Sequence, residues 1–544
     1  MKLRILLLAG AASAAFAPAF GADDAAVMKR LDAMERMIES QKGEIDAQRG
    51  EITALRHALG KRGVKVEQAK AAEAEPAAAR TPQPVEIKLA NQQVQIDKLA
   101  SEFAASRNDA RLDKQEQPVW SLAGGRPTVT SPDGRFSLAI RAIGQFDTAF
   151  YFQHANALQL AGANGPDLSN GQNFRRAQLG LQGKLFGDWS YNFNYDFAGS
   201  GGTETPGHIQ SLYIQYDGLA PFAFRIGAFP PSAGLEDNTA SPDTIFLERN
   251  SPSDVARNIA GGDGRDGIGI LYMGDRIYGA LTYTGDKIQD SGVFDEQQAL
   301  VGRLSGLAYS DDNTKIVVSG NGAYAFHIAG TAAGSASPRT ITLSDPPELT
   351  VDNTGAKLVS SGSLNAANVW EWGIESAAQW RNLYAQAGYF GYGVDLRGVT
   401  SNAAQHFNGW YGQATWILTG ESRIYSTASG AFANPKPRET FSLSGGGWGA
   451  WELAARFSDL NLNDNAGVAG SAIPAGGNRG GDQRIWTLGV NWYPNSALKF
   501  ELQYQNVDVS RLGTIPAGFG HGILSNAQVG QSYDAIAFRS QISL

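Results

Sequence analysis

The stretch FRRAQLGLQGKLFGDWSYNFNYDF, residues 174–197, decides the fold because its side chains alternate between two kinds. From Ala177 to Leu185 the odd positions are small or aliphatic, and from Trp189 to Phe197 they are aromatic. The even positions carry Arg, Gln, Gly, Lys, Ser, Asn and Asp. A period of two is that of a β-strand, so the stretch predicts two strands joined by a turn at Gly-Asp, with one apolar and one polar face.

The same alternation continues beyond this hairpin, between residue 134 and the end of the chain. Apolar and polar side chains alternate over 370–380, 383–389, 486–492 and 498–504. Short turns alternate with long polar, glycine-rich segments, which we identify as 154–173, 232–264, 330–367 and 459–482. Residues 535–544 alternate to the last position and are predicted to be the closing strand.

Two all-β architectures produce such a pattern. A soluble sandwich turns its apolar face inward, whereas a membrane barrel turns it outward to lipid around a polar lumen. The apolar face is rich in aromatic residues beside the short turns, as an interfacial girdle requires: Trp189, Tyr191, Trp380 and Trp492. The loops are longer at one end, and in lipid only a closed sheet pairs every backbone group of its strands. We therefore predict an all-β fold, a transmembrane antiparallel β-barrel over 134–544, with a soluble secreted β-protein as the less favoured alternative.

The composition excludes several classes of function. The chain has no cysteine, six histidines and a formal net charge of −8. It therefore has no thiolate metal site and no cysteine nucleophile, and its acidity argues against nucleic-acid binding. The sequence contains no metalloprotease, serine-hydrolase, nucleotide-loop or EF-hand motif. We predict a protein that is not an enzyme, with no catalytic residues, no metal site and no cofactor.

The N-terminus has the pattern of a secretory signal peptide. Lys2 and Arg4 precede a short apolar segment, and the small residues Ala19 and Gly21 fit the rule for a cleavage site. We expect residues 1–21 to be removed after export. No later segment has the run of about 18 apolar residues that a membrane helix needs, so any crossing of a bilayer must use strands.

A heptad repeat follows the signal peptide. One apolar residue recurs every seven positions, at Leu31, Ile38, Ile45, Ile52 and Leu59. This spacing predicts an N-terminal α-helical coiled coil over 22–60, because a strict seven-residue period needs a partner helix. A lone amphipathic helix lying on another surface is the alternative. The composition then predicts three further segments: a linker over 61–86, a second helical segment over 87–117 and a linker over 118–133.

Five segments, in order along the chain, resemble the phosphate- and polyphosphate-selective porin O/P family. The opening stretch resembles the family's F-R-R-A-x-L … G-D-W-x-Y … N-Y-D segment. Residues 224–250 resemble the family's G-x-F … F-G-L-E … L-E-R-N segment. Three later strands of the family are resembled by residues 411–421, 451–453 and 488–493. The resemblance implies a sixteen-stranded barrel, a homotrimer and anion-selective passive diffusion across the outer membrane.

A diffusion channel needs charged side chains aimed into its lumen, where rings of arginine and lysine select anions. Arg176 and Lys184 lie on the polar face of the opening stretch, and Arg175 is one residue earlier. Arg141, in the first predicted strand, and Arg249 complete the predicted pore-lining, anion-binding set. The resemblance implies that Arg175, Arg176 and Arg249 line the pore. The alternative is a salt-bridge network that only holds the strands and the constriction loop in place.

Several features depart from the family pattern. Phosphate-binding members carry lysine after G-L-E, where this chain has Asp237. They also carry a dense arginine run, where 320–360 contains only Arg339 and Lys357 as Arg or Lys. The predicted barrel has 26 Lys and Arg against 35 Asp and Glu, and it ends in Leu544 where the family usually ends in Phe. Because phosphate recognition favours converging Arg and Lys donors, we predict a weak or altered anion preference.

Two functions remain open on these observations. The first is an outer-membrane porin whose water-filled channel passes small hydrophilic solutes and anions, with phosphate or polyphosphate as candidates. Its expected partners are outer-membrane lipid, the other copies in a homotrimer and small anions such as phosphate, with the coiled coil in the periplasm. The second is a structural outer-membrane protein whose coiled coil tethers the membrane to the cell wall, with peptidoglycan as its partner.

Overall fold

A computed structural model describes most of the barrel and part of the N-terminal region. The described residues are 50, 84–122, 125–153, 168–199, 206–288, 294–334, 337–399, 404–469, 471–513, 527–528 and 530–544. The chain divides into two compact units, residues 1–117 and 118–544.

The N-terminal unit is described in its last part. Helix α1 (Pro84–Glu116) covers the second predicted helical segment, 87–117, except for its last residue. The predicted signal peptide, the coiled coil over 22–60 and most of the linker over 61–86 lie outside the described residues, apart from Gly50, which is helical. No helix among the described residues combines the length and the apolar character needed to cross a bilayer.

Sixteen antiparallel strands form a closed wall in the second unit. They are β1 (Ser137–Gln153), β2 (Gly171–Leu185), β3 (Trp189–Asp196), β4 (His208–Leu219), β5 (Phe222–Ala228), β6 (Arg265–Met273), β7 (Ile277–Lys287), β8 (Gln298–Ser310), β9 (Thr314–His327), β10 (Leu364–Trp380), β11 (Leu383–Leu396), β12 (Ala404–Ile417), β13 (Ala450–Asp464), β14 (Asn478–Tyr493), β15 (Leu498–Ser510) and β16 (Ser532–Ser543). Each strand pairs with its neighbour in sequence, and β16 pairs with β1 from Tyr533 opposite Gln153 to Ser543 opposite Ile143. The last strand thus closes onto the first, so the predicted sixteen-stranded barrel is confirmed.

The opening stretch forms the β2–β3 hairpin, as predicted. Leu185 lies opposite Trp189, and Phe186 and Gly187 between them have φ values of 56° and 88°. Two consecutive positive φ values match the twist of the flanking strands, and the second falls on glycine, which tolerates it. Leucines on the odd positions are exposed on the outer surface, whereas the amide and carboxylate side chains on the even positions, such as Asn194, are buried in the lumen. The two faces are therefore a lipid face and a lumen face.

The predicted linker over 118–133 contributes two short strands to the sheet. Val119–Ser121 pairs with Thr128–Thr130, which pairs in turn with the first residues of β1. The pairing between β1 and β16 does not extend beyond Ile143, so the start of β1 has a free edge there. Strand Thr128–Thr130 pairs with the backbone of β1 at this edge. The sheet therefore begins before residue 134, where the predicted barrel started.

Two long connections fold into the lumen from the end of the barrel that carries the long loops. Residues 229–264 join β5 to β6 and contain helix α2 (Ser251–Ala260), and residues 328–363 join β9 to β10. Helix α2 contacts the inner faces of β8 to β13, and its Val255, Ala256 and Ile259 belong to one buried apolar cluster with Phe390 and Tyr411 of the wall. The lumen is therefore polar at its wall but is partly filled by an apolar core.

A third insertion departs from the predicted asymmetry of loop lengths between the two ends of the barrel. Residues 418–449 join β12 to β13 at the short-turn end, where the sequence analysis placed only short turns. Part of this connection forms a small hairpin, Ile424–Ser426 with Ala431–Ala433, whose Phe432 is buried against Tyr384 of the inner wall. Arg303 of β8 donates to two of its backbone carbonyls over 2.8 and 2.7 Å. Buried polar bonds hold this hairpin inside the lumen.

Candidate functional site

A chamber of about 410 Å³ lies between the inserted segments and the β2–β7 side of the wall. Strand β2, the start of β4 and the end of β7 supply the wall side, and α2 with residues 342–350 supplies the opposite side. Six cationic side chains line it: Arg175, Arg176, Arg249, Arg257, Lys287 and Lys357. Five carboxylates line it as well: Glu248, Asp254, Asp263, Asp345 and Glu348. The chamber is therefore densely charged but nearly balanced.

A β-bulge in β2 turns two consecutive arginines into the lumen. Gln145 of β1 lies opposite Arg176, and the next residue of β1, Phe146, lies opposite Phe174, so Arg175 is the extra residue. Strict alternation would have turned one of the two arginines to lipid, but a bulge resets the alternation by one position. Both arginines are buried within the barrel, and both line the chamber.

Glu248 of the 229–264 connection neutralises part of this arginine pair. Its two carboxylate oxygens accept from Arg175 Nε and one terminal nitrogen over 2.6 and 3.1 Å. Arg539 of β16 donates to the same carboxylate over 3.1 Å and to both oxygens of Asp147. Burial would raise the pKa of Glu248, but Arg175 and Arg176 hold it well below its usual range. Glu248 is therefore a permanent anion within the chamber wall.

Asp237 holds the two chamber arginines of the inserted segment. Its Oδ1 lies 3.6 Å from Arg249 Nε and 2.8 Å from Arg257 Nε. Arg257 also donates to Asp263 over 2.7 Å. Burial raises the pKa of Asp263, but Arg257 and Arg249 outweigh burial and hold it well below its usual range. Two carboxylates thus balance two arginines within one cluster.

The N-terminal end of α2 forms an acidic corner of the chamber. Asn250 caps the helix by accepting from Ser253 N over 2.9 Å, and Glu348 accepts from Ser251 N over 2.9 Å. Burial, and next to it the charge of Asp254, raise the pKa of Asp345 well above its usual range. The helix terminus that could attract a solute anion is therefore already occupied by the carboxylate of Glu348.

The predicted pore-lining residues divide into two groups. The structure brings Arg175, Arg176 and Arg249 together in the chamber. Arg141 lies on the lumen face of β1, opposite Gly180, about 13 Å nearer the short-turn end than Arg176. Lys184 is exposed at the short-turn end of β2, about 26 Å along the strand from Arg176, and does not line the chamber.

Several chamber residues escaped the sequence analysis. Arg257 lies in the segment 232–264, which was interpreted as a polar loop. A signal was present there, because Asn250 followed by Ser-Pro is typical of a helix start. That signature would have placed Arg257 on a helix inside the segment. Lys287 ends β7 and has no comparable sequence signal.

Comparison with known proteins finds a matching family, a similar relative and a similar solved structure. A family model described as phosphate-selective porin O and P matches residues 154–520. Porin O of Pseudomonas aeruginosa is 27% identical over 351 residues, which cover 62% of this chain and 77% of that protein. Among solved structures, an anion-selective porin from Comamonas acidovorans superposes with a TM-score of 0.45 at 13% identity, covering 75% of this chain and 100% of that one.

Proposed function

The chain belongs to the phosphate-selective porin O and P family, and on that premise we propose that it forms a water-filled pore for passive diffusion of small hydrophilic solutes, with only a weak preference for anions. It is an outer-membrane channel rather than an enzyme. The weak preference is the specific part of the proposal, and the charges of the chamber support it.

One observation carries the proposal: arginines that face the chamber lie beside carboxylates of the inserted segments. Arg175 forms a two-point pair with Glu248, and Asp237 lies beside both Arg249 and Arg257. Recognition of phosphate favours several donors that converge on the ligand and are not already neutralised. A solute anion would have to compete with these internal carboxylates, so its attraction to the chamber is weak.

The size of the chamber fits a hydrated solute. Its volume of about 410 Å³ is many times the roughly 10–15 Å³ that a single water molecule needs, so the chamber holds a cluster of water molecules. A small anion such as phosphate would enter with part of its hydration shell and exchange a few water contacts for arginine contacts. Because a channel must release what it binds, moderate attraction at several positions favours flux over tight binding.

Planar-bilayer recording tests the channel directly. We expect the purified, folded protein to give stepwise conductance increases and a reversal potential slightly on the anion side in a salt gradient. A complete lack of steps from correctly folded protein would contradict the channel. Steps with strong anion selectivity, or with block by micromolar phosphate, would leave the channel intact and contradict the weak preference.

The assembly and placement of the chain belong to the same proposal. The family resemblance implies a homotrimer, and the short-turn end of the barrel is proposed to face the periplasm, as short turns do in outer-membrane barrels. The N-terminal coiled coil is likewise proposed to lie in the periplasm. Mass measurement of the protein in mild detergent checks the first point, with three copies expected and one copy contradicting it. Protease accessibility of residues 22–117 in intact and permeabilised cells checks the second.

Helix α1 favours a second candidate function, a tether between the outer membrane and the cell wall. Between residues 90 and 108, Ile96, Leu99 and Phe103 lie half-buried among mostly exposed side chains, at a spacing that suits contact with a partner helix. Deleting residues 24–117 separates the two functions. Conductance should survive the deletion if the barrel is the working part, whereas attachment to peptidoglycan should be lost if the helices act as a tether.

A further inference from the structure

The last part of the 418–449 connection lies outside the lumen, at the short-turn end of the wall. Residues 439–449, here called the rim turn, form a compact loop before β13. Ser442 N donates to Gly447 O over 3.0 Å, and Gly446 N donates to Ser442 O over 3.1 Å. Phe441 N donates to Pro494 O over 2.8 Å, which fixes the rim turn to the neighbouring β14–β15 turn. The rim turn therefore has a defined conformation and a defined place on the barrel.

Trp448 of the rim turn is bonded to the outer face of the wall. Its carbonyl oxygen accepts from the indole N–H groups of Trp451 and Trp492 over 3.2 and 3.0 Å. These two indoles stack with their centroids 5.5 Å apart, and Phe441 meets Trp492 edge-on at 5.0 Å. Trp492 in turn stacks on Phe500 of β15 at 5.4 Å. One aromatic surface thus runs from the rim turn onto the outer face of β13–β15.

The tip of the rim turn exposes large apolar side chains. Leu443 is 94% exposed and Trp448 is 71% exposed. Leu453 and Leu502, farther along the same outer face, are exposed in the way that lipid-facing residues of a barrel are. Exposed apolar surface that continues a lipid-facing wall has the same natural partner as that wall.

We propose that the rim turn is an interfacial anchor, with Leu443 and Trp448 immersed at the boundary between headgroups and acyl chains of the periplasmic phospholipid leaflet. Indoles favour this depth because the ring is apolar and the N–H is polar. Lys436 and Arg438, both exposed, lie a few residues before the anchor, where cationic side chains reach the headgroups. The same connection places Phe432 inside the lumen, so lipid contact fixes an element of the channel interior.

The absence of cysteine from the chain permits a direct test. Leu443→Cys in the full-length protein is labelled with an environment-sensitive nitrobenzoxadiazole probe and reconstituted in vesicles of phosphatidylethanolamine and phosphatidylglycerol. Ser496→Cys, on the exposed turn between β14 and β15 at the same end, is the matched control. We expect blue-shifted emission at 443 and severalfold stronger quenching by brominated acyl chains at 443 than at 496.

Two results would overturn the proposal. Water-like emission at 443, equal to that at 496, would show that the rim turn does not enter the lipid. Blue-shifted emission that brominated lipid does not quench would show that protein, such as a second copy, covers the rim turn. If Leu443→Cys fails to fold, Ser444→Cys places the probe on the same exposed tip and is interpreted by the same two criteria.

Discussion

The wall of the barrel and the segments inside it are built by different rules. In the wall, a period of two assigns each side chain to lipid or lumen, and neighbouring strands pair in regular register. The inserted segments 229–264, 328–363 and 418–449 have no such period and are held by buried side-chain bonds to the wall. The wall therefore determines the fold, and the inserted segments determine what the lumen contains.

The two regions also divide the charges of the chamber. The wall contributes Arg175, Arg176 and Lys287, whereas all of the chamber's carboxylates come from the connections between strands. In this arrangement the wall attracts anions and the inserted segments reduce that attraction. Selectivity can then change through the inserted segments while the barrel itself stays the same.

The largest expected effect comes from breaking the junction between the two regions. Arg539 is fully buried, pairs with Asp147 of the wall and donates to Leu247 O and Glu248 of the insertion. Arg539→Met leaves buried Asp147 without this arginine and removes one of the donors to Glu248, which costs about 3–5 kcal/mol of unfolding free energy. Urea titration of the folded protein in detergent measures this loss.

A surface arginine provides the control for that experiment. Arg484 of β14 is 56% exposed and pairs with Asp459 and Asp482. Because exposed pairs contribute little, Arg484→Met should cost less than about 1 kcal/mol. Equal losses in the two variants would mean that Arg539 does not connect wall and insertion.

A smaller effect is expected from reversing one charge of the wall in the chamber. Arg176→Glu changes the local charge by two units, each worth about 0.6 kcal/mol at about 7 Å in water. Because each unit lowers the anion population and raises the cation population, the anion-to-cation permeability ratio should fall roughly fiftyfold before screening by salt. Lys184→Glu should change it less, because this exposed rim residue is screened by salt over about 8 Å. Unchanged selectivity in Arg176→Glu would make that arginine purely structural.

The smallest effect concerns a turn of the wall alone. Gly187 has φ +88°, and an added Cβ would lie no closer than 3.8 Å to Arg135, so Gly187→Ala introduces backbone strain without a clash. We expect a loss of about 1 kcal/mol in unfolding free energy and no change in conductance. Gly306→Ala, at a position without positive φ and with no atom within 4 Å, is the control and should be neutral. A loss in both variants would point to an effect other than the turn.

The regularity of the wall explains why the sequence predicted it. The β2–β3 hairpin, its outward leucines and the closing strand all follow from a local period of two and from turn chemistry. The bulge that turns both Arg175 and Arg176 inward has no such local signal, and only the family resemblance implied that both arginines line the pore. Family resemblance likewise supplied the strand number.

The interior was harder to predict because its contacts are distant in sequence. The pairing of Glu248 with Arg539 joins residues 291 positions apart, and Arg303 holds carbonyls more than 120 positions away. Pairings of this kind follow from how the connections fold into the lumen, which no periodicity encodes. The exception is α2, whose start at Asn250 and Pro252 could have been identified from the sequence.

The measurement that tests the central claim most directly is the reversal potential of Asp237→Asn in a salt gradient. Removing this carboxylate leaves Arg249 and Arg257 less neutralised, and one unit charge at about 7 Å is worth about 0.6 kcal/mol, or about threefold in ion population. Because the anion population rises and the cation population falls by this factor, we predict that the anion-to-cation permeability ratio rises roughly eightfold before screening by salt. Asp217→Asn, in β4 near the short-turn end, should leave the ratio nearly unchanged. An unchanged or lowered ratio in Asp237→Asn would contradict the account.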